Sequence, residues 1–395
     1  MVRAEDVTVI IPAFNVAEYL HDALRSVMDN GGARSRLIVV DDGSTDGTLG
    51  VALEFRVKHA DMVVVTLPNA GQGAARNLGM RLARTSHLMF VDADDLIAPN
   101  GLTALFEAAD PDDDITFSNR RRFSDDASVR LRDRAHYSRQ SRVPVTDLPS
   151  VHIMAVHGKL FRRDFLTGKG IVFPEGMDWE DLPFSTETLL HADRVSSIKD
   201  VTYLWRVRAG DNRSTMQKLL TPRNLAGRMR QIEMTLAIEA SPEWRARFGK
   251  SWRKREFGTR MAMHLRAMLT ADEITTRRAF GILRPFVLAH WNVIERTVPA
   301  KRRHLYDALK AGDLTLFLAN RRDPLASLAP SSASEPVVQP AQPIRTMTPS
   351  RAATRGILPN LYVRVALAVG AAASAGAAAL TDLLDFSEWL ELAFS

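Results

Sequence analysis

The sequence predicts an α/β protein: a doubly wound, Rossmann-like sheet domain, then a helical domain, then a linker-tethered C-terminal helical tail. Three observations carry this. Short apolar runs at 7–11, 37–40, 62–67 and 88–91 alternate with stretches of helical spacing, the pattern of a parallel sheet built from strand–helix–strand units. Each run ends in a polar, Gly-rich or acidic loop, so the loops gather at the carboxyl edge of the sheet, where such sheets bind ligands. Past residue 220, Leu, Met, Ala and Arg recur at helical spacing instead.

Val7 to Ile11 is a β-branched run closed by Pro12, and Ala13-Phe14-Asn15 follows as a loop. Asn15 with Glu18 three residues later has the form of a capping box, and Leu20, Leu24, Val27 and Met28 continue as a helix that Asn30-Gly31-Gly32 ends. Leu37 to Val40 runs into Asp41-Asp42-Gly43, and Ser44-Thr45-Asp46-Gly47 reads as simple turn chemistry. The third run, Met62 to Leu67, leads to a loop containing Asn69, Gly71 and Gly73, then to a helix carrying Arg76 and Gly79. The fourth, Leu88 to Val91, enters Asp92-Ala93-Asp94-Asp95 directly. Asp92 and Asp94 can share one hard divalent cation, Mn²⁺ or Mg²⁺, with a bound diphosphate.

Two nucleotide-binding rivals are excluded. A dinucleotide fold needs G-x-G-x-x-G after its first strand, and Ile10-Ile11-Pro12-Ala13-Phe14-Asn15 stands there without glycine. The G-x-x-x-x-G-K-[ST] phosphate loop is absent. Composition is that of a globular protein, 46% hydrophobic and 25% charged over 395 residues. With no cysteine, disulfides and thiolate metal sites are impossible, which suits a reducing cytoplasm. A net charge of +6 points to an anionic partner. Met1 leads to Glu5-Asp6 without an apolar run, so no secretory signal is expected. The expected location is cytoplasmic, with contact at the inner face of the cell membrane.

Four stretches in this order, VTVIIPAFNVAEYL at 7–20, IVVDDGSTDGT at 38–48, NAGQGAARNLGM at 69–80 and FVDADD at 90–95, resemble the family 2 nucleotide-sugar glycosyltransferases of the GT-A fold. The resemblance covers about the first 215 residues. It implies a backbone platform for the nucleotide at Pro12, Ala13, Phe14 and Asn15. The base acceptor would lie in the Asp41-Asp42 pair, with Asp41 favoured. Further donor contacts would come from Asn69, Arg76, Asp92, Ala93 and Asp94, and metal ligation from Asp94 and Asp92. HGKLFRRDFL at 157–166 is similar to the family's K-L-[FY]-R-[RK] segment and places Lys159 near the site. In Trp179-Glu180-Asp181 the resemblance assigns Asp181 as general base, with Glu180 beside it; a positioned carboxylate suits that task. YLWRVRAGDNRST at 203–215 resembles a lid, from which Arg206 and Ser214 would reach the diphosphate.

A strand is expected at 114–118. The arginines between 119 and 142 suit a solvated loop or an anionic acceptor. The domains are expected at 1–220, 221–323, a Pro-rich linker at 324–360 and apolar and amphipathic helices at 361–395. Residues 221–323 hold 21 Lys and Arg against 10 Asp and Glu, a balance that fits a polyanionic acceptor, an anionic membrane surface or structural support. No nucleic-acid motif is present. The Ala-rich run from Val365 to Leu380 suits a membrane-touching, membrane-spanning or self-packing helix, and a homo-oligomer is compatible with it. The expected activity is inverting transfer from a UDP-sugar, with GlcNAc or another hexose or hexosamine, to a cell-surface polymer such as wall teichoic acid or capsular polysaccharide. The alternatives are transfer to a lipid-linked or small acceptor, a non-catalytic nucleotide-sugar binder, and a phosphate-polymer-binding module.

Overall fold

The computed structural model describes residues 1–59, 61–125, 136–148, 156–208, 218–249 and 253–320. The linker, the C-terminal helices and Ser214 lie outside them. Residues 1–324 form one compact unit.

The parallel half of the sheet is β1 (Val7–Ala13), β2 (Arg36–Asp41), β3 (Val63–Thr66) and β4 (His87–Phe90), in spatial order β3-β2-β1-β4. Helices α1 (Ala17–Val27), α2 (Thr48–Lys58) and α3 (Gln72–Leu82) make the crossovers. β1, β4 and β2 after Arg36 are buried on both faces, as their unbroken apolar runs require; β3, at the edge of the sheet, is half-buried. Val9, Ile11, Val39 and Met89 pack into one core with Leu20 and Leu24 of α1. Ile10, Ile38, Val40, Leu88 and Phe90 pack into the other.

Beyond β4 the sheet becomes mixed. It continues through β5 (Leu96–Ile97), β6 (Ile115–Phe123), β7 (Gln140–Pro144), β8 (Lys159–Arg162) and β9 (Arg194–Arg206). β8 joins β4 to β6 by antiparallel pairing on both sides, and β9 pairs β5, β6 and β7. The expected strand at 114–118 therefore extends to Phe123. Arg120 to Arg122, read as part of a loop, sit on β6 opposite Tyr203 to Trp205. Helices α4 (Gly101–Ala108), α5 (Arg163–Gly168) and α6 (Asp181–His191) complete this part.

The helical region begins with α7 (Pro222–Ala240), whose Thr221 hydroxyl accepts from Asn224 N and whose Pro222 takes the first helical position. It continues through α8 (Pro242–Phe248), α9 (Arg253–Arg255), a π-helical turn at Glu256–Met261, α10 (Ala262–Thr270), α11 (Glu273–Ala289), α12 (Trp291–Thr297), α13 (Ala300–Ala311) and α14 (Leu314–Ala319). Among the described residues no helix is long and apolar enough to cross a membrane.

Two local readings change. Pro12 lies inside β1, opposite Val40, rather than ending it. Ile10 O accepts from Val91 N on the β4 side, so Pro12, two residues on, faces that side too, beyond the last paired residue of β4. Its missing N–H therefore costs no ladder bond. The capping box at Asn15 does not form. Asn15 has φ 51° and its Oδ1 accepts from Thr45 N at 2.8 Å. The entry of α1 is capped by the second loop instead: Val16 N donates to Thr48 Oγ1 at 2.8 Å and Ala17 N to Asp46 Oδ2 at 3.2 Å. The Ser44–Thr48 turn thus ties the first two carboxyl-edge loops together.

α3 approaches β1 closely because Gly79 has no side chain; a Cβ there would lie 2.4 Å from Ile10 Cγ2. Gly79→Ala should destabilise the protein by about 1–2 kcal/mol, as overpacking outweighs the gain in helix propensity. Urea unfolding measures it, and a variant as stable as the parent would show that β1 yields to α3.

Candidate active site

The carboxyl ends of β1, β2 and β4 place Pro12, Ala13 and Phe14, the Asp41-Asp42 pair and the Asp92–Asp95 loop along one edge. Phe14 is exposed there, and Asn69 is exposed on the loop after β3.

The two acids after β2 have different tasks. Asp42 accepts from Ala70 N at 2.7 Å and Gly71 N at 2.8 Å, holding the loop before α3. Gly71 there has φ 93°, a conformation that glycine adopts without strain. Burial pushes the Asp42 carboxyl up, and those two amides oppose the rise. Asp41 accepts through Oδ2 from Ser44 N and Thr66 Oγ1, and its buried Oδ1 has no partner among the described residues. A buried acceptor without a donor is costly, and a nucleobase N–H would satisfy it.

Arg76 is the centre of the site. Its guanidinium is buried, donates to Asp92 Oδ1 at 2.8 Å and to Gln72 Oε1 at 3.1 Å, and forms an ion pair with Glu180 Oε1. Gly73 allows this union: a Cβ there would lie 2.2 Å from Pro174 O, so only glycine admits the 174–180 segment against α3. Burial works against the Arg76 charge, but Asp92 and Glu180 outweigh it and raise its pKa. Burial raises Glu180, opposed by Arg76.

The Asp92–Asp95 loop is held from the other side by β9. The second oxygen of Asp92 lies 2.8 Å from His157 Nε2. Burial disfavours the Asp92 charge, yet His157 and Arg76 together keep its carboxyl far below the usual range. His157 stacks on Tyr203, whose hydroxyl donates to Asp95 Oδ2 at 2.6 Å; Asp92 N donates to the Tyr203 hydroxyl at 3.1 Å. Asp95 also accepts from Arg206 N at 2.7 Å. Burial, with Asp94 and Asp92 nearby, pushes Asp95 well above the ordinary carboxylate value. Asp94 meets Arg208 Nε at 2.7 Å through Oδ2.

These contacts revise one sequence assignment. Arg206, expected on a lid over the diphosphate, is buried: its Nε donates to Asp94 O at 2.6 Å and it pairs with Asp125. It braces the acidic loop. Arg208, two residues on, is half-buried and meets the Asp94 carboxylate. His157, Asp95 and Tyr203 were also missed as site residues, although His157 opens the quoted 157–166 stretch, Asp95 closes FVDADD and Tyr203 opens the 203–215 stretch.

Hard oxygen donors are what Mn²⁺ or Mg²⁺ requires. The ligand atoms of Asp92, Asp95 and His157 lie within 4.8 Å of one another. Asp95 is committed to Tyr203 and Arg206 N, and Asp92 to Arg76 and His157. Asp94, facing Arg208 and no other ion-pair partner among the described residues, is the carboxylate best placed to exchange a guanidinium for a cation.

The second acidic pair opens α6. Phe184, one turn in, stacks on Phe173 at 3.8 Å, and Phe90 of β4 meets both rings edge-on. This aromatic cluster seats the start of α6 beside the carboxyl edge. Glu180 is spent on Arg76. Asp181 is half-buried, with no hydrogen bond or ion pair to its carboxylate among the described residues. Lys159, at the start of β8, is buried; burial, then Arg120, lower its pKa to about 7, and Asp181 opposes them.

Removing Arg76 leaves two buried carboxylates without their common cation. Arg76→Met should therefore cost about 3–5 kcal/mol of stability. A loss below about 1 kcal/mol in urea unfolding would show that the pairing is weak or solvated.

Residues 8–167 match the model of the glycosyl transferase family 2. A poly(ribitol-phosphate) beta-glucosyltransferase of Bacillus spizizenii is 28% identical over 244 residues, 60% of this chain and 37% of that protein. A putative teichuronic acid biosynthesis glycosyltransferase, TuaG of Bacillus subtilis, is 34% identical over 90 residues, 22% of this chain and 36% of that protein. The chain thus spans little more than a third of the length of these two relatives. Among solved structures, S. aureus TarS 1–349 in complex with UDP-GlcNAc superposes with a TM-score of 0.60 at 20% identity, covering 80% of this chain and 91% of that one. The sheet has the GT-A fold, and residues 8–167 are a family 2 glycosyltransferase domain.

Proposed function

We propose that the chain is an inverting, divalent-metal-dependent glycosyltransferase. It would move a hexose or N-acetylhexosamine, GlcNAc first, from a UDP-sugar to a hydroxyl of an anionic cell-surface polymer such as wall teichoic acid or capsular polysaccharide. One observation carries the reading: buried Arg76 joins Asp92 of the donor loop to Glu180, and the neighbouring Asp181 carboxylate has no hydrogen-bond or ion-pair partner among the described residues. The UDP-GlcNAc complex of TarS and the poly(ribitol-phosphate) specificity named for the Bacillus spizizenii relative support the choice of donor and acceptor.

In this reading Asp41 Oδ1 accepts from the imide N–H of uracil, and Pro12, Ala13 and Phe14 form the wall beside the base. Asp94, with Asp92, would hold Mn²⁺ or Mg²⁺, which supplies positive charge for the diphosphate leaving group. Asp181 takes the proton of the acceptor hydroxyl as that oxygen bonds to the anomeric carbon. The bond from that carbon to the diphosphate oxygen breaks on the opposite face, UDP leaves with the electron pair, and the configuration inverts. The excess of arginine and lysine in 221–323 favours a polyanionic acceptor. The same basic surface would also suit peripheral contact with an anionic membrane.

A screen of nucleotide-sugars by UDP release, with and without anionic polymers, tests the reading directly. Polymer-stimulated release from a UDP-sugar is expected; release from no donor under any condition would favour a non-catalytic nucleotide-sugar binder. Asp181→Asn should keep UDP affinity and lose transfer on the order of 10²–10⁴-fold; near-normal turnover moves the base elsewhere, to Glu180 first. Asp94→Asn should abolish the metal dependence of UDP binding in calorimetry. If that dependence is unchanged, Asp94 is not a ligand.

A further inference from the structure

The site as described does not explain how Asp181 is aimed. Trp179, two residues before it, has φ 71°, a strained conformation for a bulky residue that persists only where the surroundings enforce it. What enforces it is α7, from the helical region. Gly227 of α7 lies against the backbone of Asp178; a Cβ there would be 2.8 Å from Asp178 O and 3.0 Å from Asp178 N. Arg223 Nε donates to Asp178 Oδ1 at 3.2 Å. Trp179 Nε1 donates to Asn224 Oδ1 at 3.2 Å. The guanidinium carbon of Arg228 lies over the Trp179 ring, 3.6 Å from its centroid.

Arg228 is the unusual member of this set. It is 2% exposed, donates to Gln231 Oε1 at 2.6 Å, and makes no ion pair among the described residues. Its Nε has no partner among the described residues. A buried guanidinium without a carboxylate partner is expensive, and burial drives its pKa down to about 9, with Asp181 the acid that opposes the fall. Ring stacking and the field of Asp181 are the compensation left to it.

We propose that α7 is the positioning element of the general base: Gly227 and Asn224 set the turn at 178–180, and Arg228, stacked on Trp179, steadies the segment that presents the Asp181 carboxylate to the acceptor hydroxyl. Arg228 acts through Asp181 and is a positioning residue. The inference rests on the assignment of Asp181 as base. It gives the helical region a part in the chemical step, separate from any part in acceptor binding.

A double-mutant cycle tests it on the full chain. Arg228→Gln should lower kcat by about 10- to 100-fold, the scale of a misplaced catalytic group, and leave UDP affinity unchanged. In an Asp181→Asn background the same substitution should cost nothing further, because its effect passes through the missing carboxylate. Arg228→Lys should recover part of kcat, keeping the charge while losing the planar stack. Wild-type kcat in Arg228→Gln, or the full loss repeated in the Asp181→Asn background, overturns the proposal. Should Arg228→Gln melt early, Arg228→Lys decides: reduced kcat with unchanged UDP affinity and Tm supports the role, and wild-type kcat overturns it. Undiminished turnover in Asp181→Asn alone sinks the base assignment, and this role with it.

Discussion

The site depends on one buried cation. Arg76 reaches Asp92 at the end of β4 and Glu180 at the entry of α6, residues that lie 16 and 104 positions away in the chain. Desolvating three charges is costly, and only good geometry with further hydrogen bonds offsets it. Both are present: the planar guanidinium serves two carboxylates and Gln72 at once, and His157 satisfies the far side of Asp92. A lysine could not span this arrangement, since its single ammonium lacks the fork. Two glycines of α3 make the span possible. Gly79 lets the helix sit close on β1, and Gly73 lets the 174–180 segment close onto the helix. Donor loop and acid pair are thereby fixed relative to each other before any ligand arrives, the preorganisation that catalysis by positioning requires.

Much of this was legible in the sequence because it is local. The four parallel strands announce themselves as apolar runs, and acidic loops follow β2 and β4 directly in the chain. Asp41, Asp92, Asp94, Arg76, Glu180 and Asp181 all gather at the carboxyl edge as their motifs imply. What was not legible depends on partners distant in sequence. Pro12 looks like a strand end, and only the early termination of β4 shows why a strand tolerates it. Asn15 has a capping pattern, but the competing donors of Thr45 lie 30 residues on. Arg206 and Arg208 are indistinguishable as letters. Their roles separate only because β9 pairs with β5 and β6, burying the first against Asp94 O and Asp125 and leaving the second at the acidic loop. Tyr203 and Asp95 meet across 108 positions, a separation that no motif spans.

A regularity runs through the three acidic loops. Each holds adjacent or nearly adjacent carboxylates, and each spends one on structure. Asp42 is consumed by the amides of Ala70 and Gly71, Asp95 by Tyr203 and Arg206 N, and Glu180 by Arg76. The neighbour is left less engaged: Asp41 with an unpartnered oxygen, Asp94 with one exchangeable arginine, Asp181 with no bonded partner among the described residues. Asp95 and Glu180 are buried while Asp94 and Asp181 are half-buried; in the first pair both acids are buried and differ only in their partners. The engaged member also supports its neighbour, since a loop tied down by buried charge-assisted bonds holds the other group steady at little further entropic cost. Each motif therefore holds one acid engaged in structure and one less engaged, and the loops that carry them are tied together where Arg76 joins the fourth strand to the sixth helix.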